Sequence, residues 1–123
     1  MNSVSDKQAR HTDCIFCKIA SGLIPANRVY DDEFCIGFPD IHPQAPTHLL
    51  IIPKEHIASH AKALAEHKPL LGHLMSVAAD LARSQKLDRG YRVVINTGDD
   101  GGQTVHHLHL HLLGGRPMTW PPG

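Results

Sequence analysis

Apolar and polar residues alternate with two different periods along this chain, and the switches between them mark its elements. Met1 to Asp13 is polar with no apolar period, which predicts a flexible tail outside the core. Cys14-Ile15-Phe16-Cys17-Lys18-Ile19-Ala20 then predicts a short helix, stopped by Ser21-Gly22 before Ile24-Pro25 forces extended chain. Val29–Tyr30 and Phe34–Phe38 predict short strands that the acidic turn Asp31-Asp32-Glu33 joins as a hairpin. Thr47–Ile52 is β-branched and apolar, as in a strand buried on both faces, and Pro53 ends it. Leu70, Leu71, Leu74, Val77, Ala78 and Leu81 fall on one stripe at helical spacing, so a long helix is expected from Pro69 to near Leu87, with Gly90 as its exit. Tyr91–Asn96 predicts a strand, Thr97–Thr104 a glycine-rich loop, and Val105–Leu113 a last strand before Gly114-Gly115. Short helix, three strands, long helix, two strands is the order of an α+β domain on an antiparallel five-stranded sheet.

The length of 123 residues fits one domain, expected over residues 14–123. Twelve Lys plus Arg balance twelve Asp plus Glu, so there is no basic footprint for polymeric nucleic acid. The longest aliphatic run, Leu49-Leu50-Ile51-Ile52, is far short of a membrane span, and no apolar segment follows Met1; both point to a cytoplasmic protein with no membrane partner. Eleven histidines against three cysteines is the unusual feature.

His107-Leu108-His109-Leu110-His111 alternates with period two, so in a strand the imidazoles share one face and Leu108, Leu110 and Leu112 the other. One use of such a face is a metal cage. His107 and His111 would be roughly 13 Å apart in a strand, whereas two imidazoles on one ion span roughly 11 Å at most, so at most two neighbours share an ion. The other use is nucleophilic catalysis, in which a neutral imidazole attacks phosphorus and forms a covalent intermediate. A carbonyl accepting from Nδ1 of the central histidine would leave its Nε2 free to attack, and the flanking rings could donate to phosphate oxygens or the leaving group. The preceding loop, Gly98 to Thr104, offers close backbone approach together with the Gln103 amide and the Thr104 hydroxyl. Cys14-x-x-Cys17 is half a zinc site or a redox pair. Cys35 belongs to the core. His42, His56, His60, His67, His73 and His106 carry no assignable spacing and default to the surface.

Asn96, Gly101-Gly102-Gln103-Thr104-Val105, His107-x-His109-x-His111 and Gly114-Gly115-Arg116 together resemble the histidine triad (HIT) superfamily, and within it the Hint branch. Ile15-Phe16-x-Lys18-Ile19, Asp40-Ile41, Pro43 to His48, Leu70 to Met75 and the ending Met118-x-Trp120-Pro121-Pro122-Gly123 match in order and spacing. The resemblance implies a homodimer whose sheets join, and hydrolysis or transfer of purine nucleotides, notably phosphoramidates and aminoacyl-adenylates, through a nucleotidyl-histidine without a catalytic metal. By it His109 is the nucleophile, His111 its partner at phosphate and Thr104 a hydroxyl aimed at phosphate or leaving group. Asn96, Gly102 and Gln103 hold phosphate oxygens or the loop, and Asp40 accepts from ribose. Ile15, Phe16, Ile19, Phe38, Ile41 and Leu50 form the base pocket, with Pro39 replacing a histidine common in animal members, and Trp120 reaches the partner subunit's site. It also implies a closed structural zinc site of Cys14, Cys17, His48 and His107. A zinc hydrolase with strand histidines as catalytic ligands and a nucleotide-binding scaffold with an idle site are the competing readings.

Overall fold

The computed structural model describes residues 13–123; the expected tail, apart from Asp13, lies outside the described residues. Helix α1 (Ile15–Ser21) is followed by β1 (Tyr30–Asp31), β2 (Cys35–Pro39) and β3 (Thr47–Pro53), two 3-10 turns at His60–Lys62 and Ala65–His67, α2 (Lys68–Ser84), β4 (Tyr91–Val94) and β5 (Leu110–Gly114). The strands form one five-stranded sheet in the order β1-β2-β3-β5-β4, antiparallel at every pairing. The β1–β2 hairpin turns where expected, because Asp32 Oδ1 accepts from the amides of Phe34 and Cys35 at 2.7 and 2.9 Å.

Strand β3 lies at the centre and is buried on both faces, so its residues divide between two cores by strict alternation. Leu49 and Ile51 join Leu110 and Leu112 of β5 under Leu74, Val77, Ala78 and Leu81 of α2. Leu50 and Ile52 join Ile36 and Phe38 of β2 under Phe16 and Ile19 of α1. Cys35 is fully buried in the first of these cores. Among the described residues no helix is long and apolar enough to cross a membrane.

Two boundaries differ from expectation. Helix α2 ends at Ser84, and the left-handed residue that turns the chain is Lys86 (φ 60°), ahead of Gly90. The Leu87 amide then reaches back to the Ala82 carbonyl at 3.0 Å, closing the helix end while the Leu87 side chain packs on the first core. Strand β5 begins at Leu110 rather than Val105. With Ile51 opposite Leu110, continued pairing would set Leu108 against Pro53, which has no N–H to donate. The chain instead makes single bonds: Leu108 N to Ile57 O at 2.6 Å, and His107 Nε2 to Pro53 O at 2.9 Å.

Candidate active site

Although residues 105–109 leave the ladder, side chains keep alternating between the two faces. Leu108 stays in the core under α2, while the rings of His107 and His109 pack edge-on against Phe16 of α1 at 5.9 and 5.1 Å. His111 continues the row, its ring 5.0 Å from that of His109. The three imidazoles therefore share the face beneath α1, and each has a different set of partners.

His109 Nδ1 lies 2.7 Å from the carbonyl oxygen of His107. A carbonyl can only accept, so Nδ1 carries the proton and Nε2 the lone pair. The ring is almost fully buried, with Phe16 on one side and His111 on the other.

His111 and His48 form a second unit. The Gln44 amide donates to His48 Nδ1 at 3.0 Å, so the proton of neutral His48 is on Nε2. That Nε2 is 2.9 Å from His111 Nδ1 and 3.5 Å from Asp40 Oδ2. His111 Nδ1 is thus an acceptor, and its own proton sits on Nε2. Burial holds both rings neutral: it lowers the pKa of His48, and together with the neighbouring His109 and His48 it pushes that of His111 down to about 4. Asp40 uses Oδ1 to accept from the His42 amide at 2.8 Å.

The expected zinc ligand His48 is therefore misplaced. In the β3–β5 register His48 stands opposite Leu113, six residues beyond His107, or roughly 20 Å along a strand. His56, expected at the surface, takes its place: the ligand atoms of Cys14, Cys17, His56 and His107 all lie within 4.8 Å of one another. Sulfur-to-nitrogen separations are 3.3 Å for Cys14–His107, 3.5 Å for Cys17–His107 and 3.2 Å for Cys17–His56, all through Nδ1. Tetrahedral zinc with Zn–S near 2.3 Å and Zn–N near 2.0–2.1 Å sets such ligands about 3.5 Å apart, so this donor set fits the ion. His107 Nε2 donates to Pro53 O, which leaves Nδ1 unprotonated and directed at the thiols. Burial, then the hydrogen bond with Cys14, pushes the Cys17 thiol up to about 12, so binding zinc requires loss of that proton. The signal for His56 was its place just past β3, since residues following one antiparallel strand lie beside those preceding its neighbour.

The glycine loop is tied down by its own amides. Gln103 Oε1 accepts from Gly98 N at 3.0 Å, and Nε2 donates to Ala58 O and Val105 O at 2.8 and 3.0 Å, which uses both donors and holds the loop rather than a phosphate. Asn96 Nδ2 likewise donates to Gly101 O at 2.7 Å. A Cβ on Gly101 would meet Thr97 O at 2.2 Å, so only glycine fits there. The Gly102 amide is spent on Asp99 O at 3.0 Å. Thr104 is exposed and lines a cavity of about 410 Å³ with Cys14, His56 and His106, on the side of the thiol cluster.

Of the expected base pocket, Phe16, Ile19, Phe38 and Leu50 come together as buried neighbours, whereas Ile15 and Ile41 are 48% and 86% exposed. Trp120 is 82% exposed on the described chain, and its segment is tied to β4 by Arg92 Nη2 donating to Thr119 O at 2.8 Å. Two other histidines have defined partners: His67 is buried with Nε2 2.8 Å from Glu55, and His73 Nε2 is 2.6 Å from Asp32.

A family model described as "Scavenger mRNA decapping enzyme C-term binding" matches residues 13–119. An uncharacterized HIT-like protein of Synechococcus elongatus is 56% identical over 111 residues, covering 90% of this chain and 97% of that protein. A 14 kDa zinc-binding protein of Zea mays is 49% identical over 128 residues, covering both chains completely. Among solved structures, a HIT family hydrolase from Legionella pneumophila superposes with a TM-score of 0.89 at 54% identity, covering 90% of this chain and all of that one.

Proposed function

Because this chain belongs to the histidine triad superfamily, we propose that it is a nucleotide-binding hydrolase or nucleotidyl transferase working through His109. The substrates are purine nucleoside phosphoramidates and aminoacyl-adenylates, turned over by a cytoplasmic homodimer. The observation that carries this reading is the tie between His109 Nδ1 and the His107 carbonyl, which leaves the lone pair of the neutral ring on Nε2.

In the first step Nε2 attacks the α-phosphorus in line with the leaving group. The P–N bond of a phosphoramidate, or the acyl P–O bond of an adenylate, breaks with its electron pair going to the leaving group. An amine departs with one proton taken up from solvent water, a carboxylate without one. Water then attacks the nucleotidyl-His109 and gives up a proton to solvent as the P–N bond breaks, forming the nucleoside monophosphate and returning the electron pair to Nε2. Throughout, His111 offers its Nε2–H to a phosphate oxygen, where negative charge builds. Asp40, with Oδ2 not taken up by the His42 amide, is the ribose acceptor, and the buried group around Phe16 and Phe38 forms the wall for the base.

Zinc bound by Cys14, Cys17, His56 and His107 would fasten α1 to the segment before β5, a structural contribution. A competing catalytic-metal reading takes Asp40, His48 and His111 as a carboxylate and two imidazoles around an ion, and their ligand atoms do lie within 4.8 Å. The Gln44 amide opposes it: a metal on His48 Nε2 would move the proton to Nδ1, donor against donor.

Mass spectrometry after brief exposure to an adenosine phosphoramidate tests the proposal. An adenylyl group on His109 is the expected result. Turnover with no adduct, even under rapid quenching, would overturn the covalent route, and affinity without turnover would favour the idle scaffold.

A further inference from the structure

Behind the His48–His111 pair stands one peptide amide, and its position has a visible cause. Gln44 donates through its main-chain N–H to His48 Nδ1, while its carbonyl accepts from Arg116 Nε at 3.0 Å. Arg116 is itself oriented, its Nη1 donating to Pro117 O at 3.0 Å. Gly115, at φ 91°, turns the chain at the end of β5 so that it returns over the 43–48 loop; a Cβ there would strike the Pro46 ring at 2.9 Å.

We infer that the backbone N–H of Gln44, a residue whose carbonyl Arg116 clamps, is a tautomer lock on the site: it fixes the proton of His48 on Nε2 and, through it, that of His111 on Nε2. A neutral imidazole can place its proton on either nitrogen, and the two forms present opposite faces to a ligand. With the proton on Nε2, His111 attracts an anionic oxygen; with it on Nδ1, the same atom turns a lone pair to that oxygen and repels it. A backbone N–H cannot reverse its polarity, so anchoring the chain of hydrogen bonds on Gln44 decides the sense of both rings. Asp40 Oδ2, 3.5 Å from His48 Nε2, favours the same form. Arg116 and Gln44 are positioning residues that act through His48. The inference rests on the proposed nucleotidyl chemistry only for what His111 Nε2–H faces.

Long-range proton–nitrogen correlation NMR of the ¹⁵N-labelled full chain reads the tautomers directly, with His48→Gln and His111→Gln assigning the signals. Both rings should be neutral with the proton on Nε2. In Arg116→Ala, and equally in Arg116→Lys, which keeps charge but loses the Nε–H, His48 and His111 should become mixtures of the two forms. Their kcat on an adenosine phosphoramidate should fall about three- to tenfold with KM changed less than about twofold. Gln44→Ala retains the peptide N–H and should leave the spectrum unaltered. A proton on His48 Nδ1 in the wild type overturns the inference, as does a wild-type spectrum in both Arg116 variants. If the Nε2–H pattern holds and His109 acquires no adduct, the proposed function fails while the lock stands.

Discussion

His107 serves four neighbours with three different groups, and this makes the histidine row asymmetric. Its Nδ1 faces Cys14 and Cys17, its Nε2 is tied to Pro53 O, and its carbonyl holds His109 Nδ1. Among the described residues, His109 alone of the three rings keeps an uncommitted lone pair, so His109→Ala should abolish adduct formation. Losing the contact with Phe16 and one hydrogen bond should cost about 1–3 kcal/mol in urea melts, leaving a folded protein in which the missing adduct is informative. The buried pair beside it sets a pH dependence. Above pH 6.5 the ring of His111 is neutral whether the chain is folded or not; between 6.5 and about 4 the unfolded chain takes up a proton that the folded one refuses. Stability should therefore drop as pH falls through that window, with His48 adding in the same direction, and the acid loss should shrink in His111→Gln. Period-two spacing was enough to put three imidazoles on one face and to favour Nε2 of His109. It was silent on which ring each backbone group touches: Gln103 looks like a phosphate donor until its amide is found fully engaged by Gly98, Ala58 and Val105.

At the scale of elements, a metal site at the start of α1 would replace the packing that seven helical residues cannot supply alone. Cys14 is also the N-cap of α1, its Sγ accepting from Cys17 N at 3.3 Å. Serine can make the same cap, so Cys14→Ser tests zinc without removing the cap. Zinc content and thermal midpoint should fall together, by several °C, given that about 1 kcal/mol corresponds to roughly 4 °C in a domain of this size. His56→Ala should behave likewise, whereas His48→Ala should keep its zinc by elemental analysis; the reverse outcome would restore the ligand set expected from the resemblance. In the loop, Gly101→Ala drives a Cβ into Thr97 O and should lower activity more than global stability, read as kcat/KM against the urea midpoint. Helix α2 and the central strand were legible because their apolar patterns are long and uninterrupted. What escaped were decisions made between elements. Strand β5 starts late because its neighbour ends in a proline, and the exchange of His56 for His48 follows from β3–β5 register, which no single segment encodes.

For the whole molecule, assembly turns on the two edges of the sheet. The order β1-β2-β3-β5-β4 leaves β1 and β4 as edges, and β1 is two residues long, too short for a further ladder. Strand β4, with four residues and an exposed Tyr91, is the edge on which the proposed dimer would join two sheets. The tail bearing Trp120 is bonded to this same strand through Arg92 and Thr119, so pairing there would carry an exposed indole towards a second copy. Successive N–H groups of a strand point to opposite edges. Of Arg92→Pro and Val93→Pro, one therefore removes a bond to β5 and the other an outward N–H that the described residues do not use. The outward variant should sediment as a monomer while keeping its thermal transition; the inward one should lose stability first. If wild-type protein sediments as a monomer at micromolar concentration, or if both prolines leave a dimer intact, the sheets do not join through β4, and any contribution of Trp120 to a second site falls with that arrangement.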